Sequence, residues 1–236
     1  MAIDRKAELA TNLANIKDEI PEGVHLIVVT KTFPVSDVEI LRELGCSEFG
    51  ENRDQEGKLK APAVSAKWHF QGQLQSNKLK SICSWADVIQ TVDSLRYVDL
   101  ISSALSRISE EGNLGKDSLE IFIQVSLDSK IDSKLDSKLD SEKSARQGAD
   151  PKEINQIADA IMSTKNLKLQ GLMAVAPLDE EPDSAFLRLS KIHSDFKANY
   201  PNAPYLSAGM SGDFQSAISH GATHFRIGSQ ILGSRN

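Results

Sequence analysis

Cysteine is nearly absent from this 236-residue sequence: Cys46 and Cys83 are the only two, and no CxxC pair occurs. That excludes a disulfide-framed scaffold, leaves no structural zinc signature, and makes a reducing cytoplasm the expected compartment. Long hydrophobic runs are missing too. No stretch approaches the roughly 18 apolar residues of a membrane span, and the N-terminal MAIDRKAELATNLANIKDEI is charged throughout, where a signal peptide needs an unbroken apolar core. Positive charge is not in excess: 27 Lys+Arg against 33 Asp+Glu leave a net charge of −6, which argues against broad nucleic-acid binding, and Lys78 and Lys80 are too sparse for a basic patch. The five histidines, His25, His69, His193, His220 and His224, form no HExxH pair. His69, beside Trp68, reads as a packed or pocket-wall side chain rather than a metal ligand, and no metal site is expected. There is no GxSxG elbow, and no Gly-rich dinucleotide fingerprint opens the first helix.

What is present is ordinary globular composition, 40% hydrophobic and 25% charged, long enough for one α/β barrel or two small domains. Leu9, Leu13, Ile16 and Ile20 fall at helical spacing, and Pro21-Glu22-Gly23 ends that stripe. Residues 25–30 form a β-branched run too short for a buried helix and suited to a strand buried on both faces. Ser36-Asp37-Val38-Glu39 reads as a capping box, with Leu41 and Leu44 on the apolar side of its helix and Gly45 at the stop. Further strands are expected at 47–49, 67–70, 88–92, 119–127, 168–174, 204–207 and 224–227. Between them lie the stripe Leu95, Val98, Ile101, Leu105, Ile108, a second capped start at Asp150-Pro151-Lys152-Glu153, and the stripe Phe186, Leu189, Ile192, Phe196. Eight strand-helix units of roughly 30 residues each predict a single (β/α)8 barrel of the TIM type over 1–236; a doubly wound open sheet is the alternative.

One stretch breaks the rhythm. Asp128-Ser-Lys-Ile131 repeats as Asp132-Ser-Lys-Leu135 and Asp136-Ser-Lys-Leu139, then decays into Asp140-Ser-Glu-Lys143. Wound as a helix, the repeat would stack Asp132 over Asp136 and Lys134 over Lys138, like charges one turn apart. It is therefore expected to be a solvated, low-complexity loop insertion at about 128–147. Following the fifth strand, it would emerge on the face where barrel sites are built, in the position of a lid.

Lys31, in Val28-Val-Thr-Lys-Thr-Phe-Pro34, directly follows the first buried strand. A barrel points such a residue into the ligand mouth, where burial lowers an amine's pKa and favours a neutral nucleophile able to form a Schiff base. A lysine merely reaching water is the competing reading. Leu206-Ser-Ala-Gly-Met-Ser-Gly-Asp213 and Phe225-Arg-Ile-Gly-Ser229 both pass from strand to loop with small residues and hydroxyls where a helix begins. Glycine lets the backbone approach, free amides donate, and the helix dipole favours an anion, which is what a phosphate cradle needs. Either motif alone is a common turn; two in the last two units fit the phosphate sites that follow barrel strands seven and eight. A carbonyl-reactive lysine beside a phosphate grip calls for an aldehyde bearing a phosphate, and pyridoxal 5'-phosphate (PLP) is the economical candidate.

These residues stand among further motifs: Val29-Thr-Lys-Thr32, Phe49-Gly-Glu-Asn52 with Gln55-Glu56, Trp68-His-Phe-Gln-Gly72 running into Leu74-Gln-Ser-Asn-Lys78, Gly171-Leu-Met173, Ser207-Ala-Gly-Met-Ser211 and Arg226-Ile-Gly228. In that order along nearly the whole chain, they make the sequence closely resemble the pyridoxal phosphate homeostasis protein family, whose fold is that of the barrel domain of alanine racemase. The resemblance implies that Lys31 is the Schiff-base lysine, that Ser211 and the amides of Gly228 and Ser229 hold the phosphate, that Arg226 faces the pyridine nitrogen, and that Asn52 and Met210 line the pocket. It also implies a cytoplasmic PLP-binding protein of vitamin B6, amino-acid and keto-acid homeostasis. Its partners would be PLP-dependent apoenzymes, with no role for membrane or nucleic acid, and it would be a monomer or weak dimer. The sequence departs from the family in its repeat insertion, in Arg146-Gln147-Gly148 where many members have Lys-x-Gly, and in Gln71 and Gln73, where apolar or small residues are frequent.

Arginine stays charged, so beside the pyridine nitrogen it disfavours ring protonation and leaves the ring a weaker electron sink. Racemases with this arrangement add a second base, often from another domain or subunit, and Tyr97, Tyr200 and Tyr205 lie outside the recognised motifs. Holding PLP without catalysis is the expectation. A PLP-dependent amino-acid racemase is the alternative, and a class I aldolase, whose lysine attacks the substrate itself, is a third.

Overall fold

Short apolar runs bounded by turn residues become strands in this chain, and the longer stripes between them become helices. The computed structural model describes residues 4–112, 118–128 and 148–233. In chain order its elements are α1 (Arg5–Glu19), β1 (His25–Val29), α2 (Val35–Glu43), β2 (Glu48–Glu51), α3 (Asp54–Lys60), β3 (Lys67–Phe70), α4 (Leu79–Trp85), β4 (Val88–Val92), α5 (Leu95–Glu110), β5 (Leu119–Gln124), α6 (Ile154–Met162), β6 (Leu167–Met173), α7 (Pro182–Asn199), β7 (Tyr205–Met210), α8 (Phe214–Ser219), β8 (His224–Ile227) and α9 (Ser229–Leu232). Each strand pairs in parallel with the next, and β8 pairs with β1, which closes a (β/α)8 barrel and excludes the open sheet.

The two-residue period of a strand sends alternate side chains to opposite faces. Outward residues such as Val28, Phe49, Trp68, Ile89 and Phe225 join Leu9, Leu41, Ile82, Ile101 and Leu189 of the helices in one continuous apolar core. Each fully buried Leu, Ile or Phe there contributes about 1.5–3 kcal/mol. The inward face is different. Barrel interiors are usually filled by branched aliphatic side chains, but here a small apolar cluster of Val88, Phe122 and Met173 is separate from the main core, and much of the remainder is polar. Gln90 of β4 accepts a hydrogen bond from Ser207 of β7 at 2.9 Å. Those strands are not neighbours, so the bond crosses the inside of the barrel.

Two helix starts differ from expectation. α2 begins at Val35 behind Pro34, with no side-chain cap, so Ser36 and Glu39 form no capping box. Pro34 already sets the chain's entry, and Asp37 is buried against α1, where Arg5 donates to its carboxylate at 2.6 and 3.3 Å. Arg5 also reaches Leu232 O at 3.0 Å, tying the first helix to the last. Asp150 caps a turn rather than a helix: its Oδ1 accepts from the Lys152 amide at 2.9 Å, and α6 starts at Ile154. β5 stops at Gln124, short of the expected 127, leaving Val125 bridged to Ala149, while β7 runs on to Met210. Apart from Asp128, the Asp-Ser-Lys repeat and its expected lid role lie outside the described residues, as do Arg146 and Gln147. Among the described residues no helix is long and apolar enough to cross a membrane.

Candidate functional site

The C-terminal ends of β7, β8, β1 and β2 are consecutive around the barrel and bring together all the residues singled out in the sequence. Val28 pairs with Ile227 and Val29 with Gly50, so Lys31 leaves β1 with Gly228 on one side and Asn52 on the other. Met210 pairs with Arg226, which sets Ser211 against the end of β8. There the Gly228 amide points at Ser211 Oγ, 3.4 Å away. A Cβ on Gly228 would lie 3.1 Å from Val29 O, so glycine lets the end of β8 close on β1. Gly209 has φ +91° and packs so tightly that a Cβ would meet Ala217 Cβ at 2.8 Å. The following turn is held by the Met210 amide donating to Asp213 Oδ1 at 2.6 Å. Lys31, Asn52, Met210, Ser211 and Gly228 are half-buried, Ser229 is exposed, and Arg226 is buried.

Arg226 donates to Ser207 Oγ at 2.8 Å and to Ala174 O at 2.9 Å. Burial pushes its pKa down to about 10, partly offset by Asp213, so it is charged at neutral pH. Beneath Lys31 lies a second buried group. Lys60 Nζ reaches Glu51 Oε1 at 2.6 Å, Thr30 O at 2.8 Å and Glu56 Oε2 at 3.0 Å. Thr30 Oγ1 donates to Glu51 at 2.5 Å, and the Thr32 amide donates to Glu56 Oε2 at 2.6 Å. Thr32 has φ +70°, a left-handed conformation that costs a non-glycine residue energy and needs such an anchor. The residues flanking Lys31 on both sides are thus pinned by one ion cluster.

Sequence reasoning missed Thr30, Lys60, Gln90 and Ser207 as contributors. A signal was present: Glu48, His69, Gln90, Ser207 and Arg226 are polar residues set in short, otherwise apolar strands. His69 is packed as expected, fully buried and bonded to Glu48 and Gln90.

Residues 3–236 match the family described as alanine racemase, N-terminal domain. A pyridoxal phosphate homeostasis protein of Corynebacterium glutamicum is 37% identical over 217 residues, covering 91% of this chain and 92% of the relative. The chain belongs to this family. The structure of PipY from Synechococcus elongatus, solved with PLP bound, is 26% identical with a TM-score of 0.77, over 95% of this chain and 100% of PipY. Alanine racemase of Clostridium difficile, at 14% identity and a TM-score of 0.74, shares the fold over 97% of this chain and 60% of its own.

Proposed function

We propose that this chain is a single PLP-binding domain that holds the cofactor as a Schiff base on Lys31 and serves intracellular PLP, amino-acid and keto-acid homeostasis. The observation that carries this is the convergence, at one barrel mouth, of an amine, a hydroxyl beside a backbone amide, and a buried cation. The residues fit such a ligand: the Gly228 position has no Cβ to cover its amide, the Gly228–Ser211 contact is long enough for an anion to take over both donors, and Arg226 donates to a hydroxyl and a carbonyl, neither of them charged. When bound, PLP supplies a reactive aldehyde and an electron-accepting ring. Ser211 and the Gly228 and Ser229 amides hold its phosphate, Asn52 and Met210 line its walls, and Arg226 keeps the ring nitrogen unprotonated.

The same arrangement favours holding over turnover. Tyr97 Oη donates to Leu74 O at 2.6 Å, Tyr200 Oη to Asp159 at 2.8 Å, and Tyr205 sits edge-on to His25 and His224 at the opposite barrel end. PLP-dependent apoenzymes in the cytoplasm are the recipients this function calls for. Purified protein loaded with PLP is expected to show a visible imine band that borohydride fixes on the peptide containing Lys31. Full colour and borohydride labelling retained in Lys31→Ala would overturn the assignment.

A further inference from the structure

A chain of hydrogen bonds runs through the barrel from Arg226 to the opposite mouth. Arg226 donates to Ser207 Oγ at 2.8 Å, Ser207 to Gln90 Oε1 at 2.9 Å, Gln90 Nε2 to His69 Nδ1 at 3.0 Å, and His69 Nε2 to Glu48 Oε2 at 3.0 Å. His25 Nδ1 closes the far end on Glu48 Oε1 at 2.6 Å. Arg226, Ser207, Gln90 and His69 are all buried, and the His25 side chain is 38% exposed.

One charge sets the direction of every link. Burial opposes ionisation of Glu48, but the hydrogen bonds and electrostatic attraction of His69 and His25 outweigh it and lower its pKa to about 2. An ionised carboxylate accepts only, so neutral His69 must carry its proton on Nε2 and leave Nδ1 as an acceptor. Gln90 must then turn its NH2 to His69 and its oxygen to Ser207, whose own oxygen is left to accept from Arg226. The opposite amide orientation would aim a His69 lone pair at the carboxylate. With all the dipoles aligned, each bond strengthens the next. Among the described residues no carboxylate lies within ion-pair distance of Arg226, Asp213 acting on it only through space, and the hydrogen-bonded chain joins this buried cation to an anion at the other end of the barrel.

We propose that Ser207, Gln90 and His69 are positioning residues that fix the Arg226 guanidinium for the cofactor ring, with Glu48 as its remote counter-charge. This rests on the placement of Arg226 in the preceding subsection. A metal is the other use to which His25, Glu48 and His224 could be put, since their ligand atoms lie within 4.8 Å of one another. However, the His25 and His224 rings are stacked with their planes 5° apart. A metal lies in the plane of each imidazole that binds it, and parallel planes share no point.

The test compares wild type with Glu48→Gln, Gln90→Leu, Ser207→Ala and Arg226→Gln by two measurements. In the cofactor-free protein, exchange of the Arg226 guanidinium protons, identified by their loss in Arg226→Gln, is expected to be about tenfold faster in the first three variants. In protein loaded with 15N-labelled PLP, the ring-nitrogen resonance is expected to move in those variants in the same sense as in Arg226→Gln, which a purely structural role would not cause. Unchanged exchange in folded Glu48→Gln and Ser207→Ala would overturn the relay whatever the cofactor does, and these two nearly isosteric variants carry the test if Gln90→Leu does not fold. A ring nitrogen that responds to Arg226→Gln but not to the other three would also overturn it. One that ignores Arg226→Gln would instead sink the placement of Arg226 itself, and the relay's purpose with it.

Discussion

Acid should destabilise this barrel from the end opposite Lys31, and His224 measures by how much. Its imidazole is buried, stacked on His25 at 4.2 Å, edge-on to Tyr205 and Phe122 at 5.1 and 5.3 Å, with Nδ1 2.9 Å from Thr223 Oγ1. Burial first, and then the neighbouring His25 and His69, push its pKa down to about 3 from 6.5. The folded state therefore keeps His224 neutral at pH values where the unfolded chain takes up a proton. Stability is complete above pH 6.5 and falls as the pH drops toward 3, by about 1.4 kcal/mol for each unit. At pH 5 the loss is about 2 kcal/mol, and near pH 3 about 4 kcal/mol, a large share of the 5–15 kcal/mol of a typical domain. Urea unfolding at pH 7.5 and pH 5 measures it: with a slope of about 2 kcal/mol per molar, the midpoint falls by about 1 M from this residue alone. His69 and His193, also held neutral mainly by burial, add losses of the same sign, so the decisive quantity is the difference between wild type and His224→Phe. That variant keeps an aromatic ring and loses the proton site. A wild-type midpoint that ignores pH over this range, or a His224→Phe profile as steep as wild type, would refute the reasoning.

Other outcomes follow from the ion cluster beneath Lys31 and from close packing on the helices. Lys60→Met leaves Glu51 buried without its cation, where burial already raises its pKa, and is expected to cost about 3–5 kcal/mol in urea unfolding. Adding Glu51→Leu should recover part of that loss, and no recovery would mean the carboxylate is not the cause. Gly57→Ala would put a Cβ 2.2 Å from Trp85 Cζ2, in a ring also held by its indole N–H to Asp54 at 3.0 Å. Thermal unfolding should show a loss of about 1–3 kcal/mol; an unchanged midpoint would mean that α3 and α4 can move apart freely.

Much of the barrel was legible because its signals are local. β3, β4 and β8 begin and end where the sequence places them, since runs such as Val88–Val92 carry both the apolar content and the flanking turn residues that define a strand. Lys31, Ser211 and Gly228 could be picked out for the same reason: each stands just past a strand end. The capping box failed because Asp37 has a partner 32 residues away, and that contact outranks the local pattern Ser36-x-x-Glu39. β7 was cut short because the residues after Ser207 look like a turn, and only the pairing of Met210 with Arg226 keeps them in the sheet.

The eight units, the family and the residues at the strand ends are all written in short-range periodicity and in motif order. Tertiary structure alone decided what fills the barrel. Ser207 and Gln90 are 117 residues apart, and although each stands out as a polar residue in a short apolar strand, nothing local says that the two meet. Closing the sheet turns that face inward, away from water, and each polar group on it must then find another to bond. The scarcity of cysteine and of long apolar runs and the lack of excess positive charge still describe the chain, but the Arg226 cation is one that only closure buries.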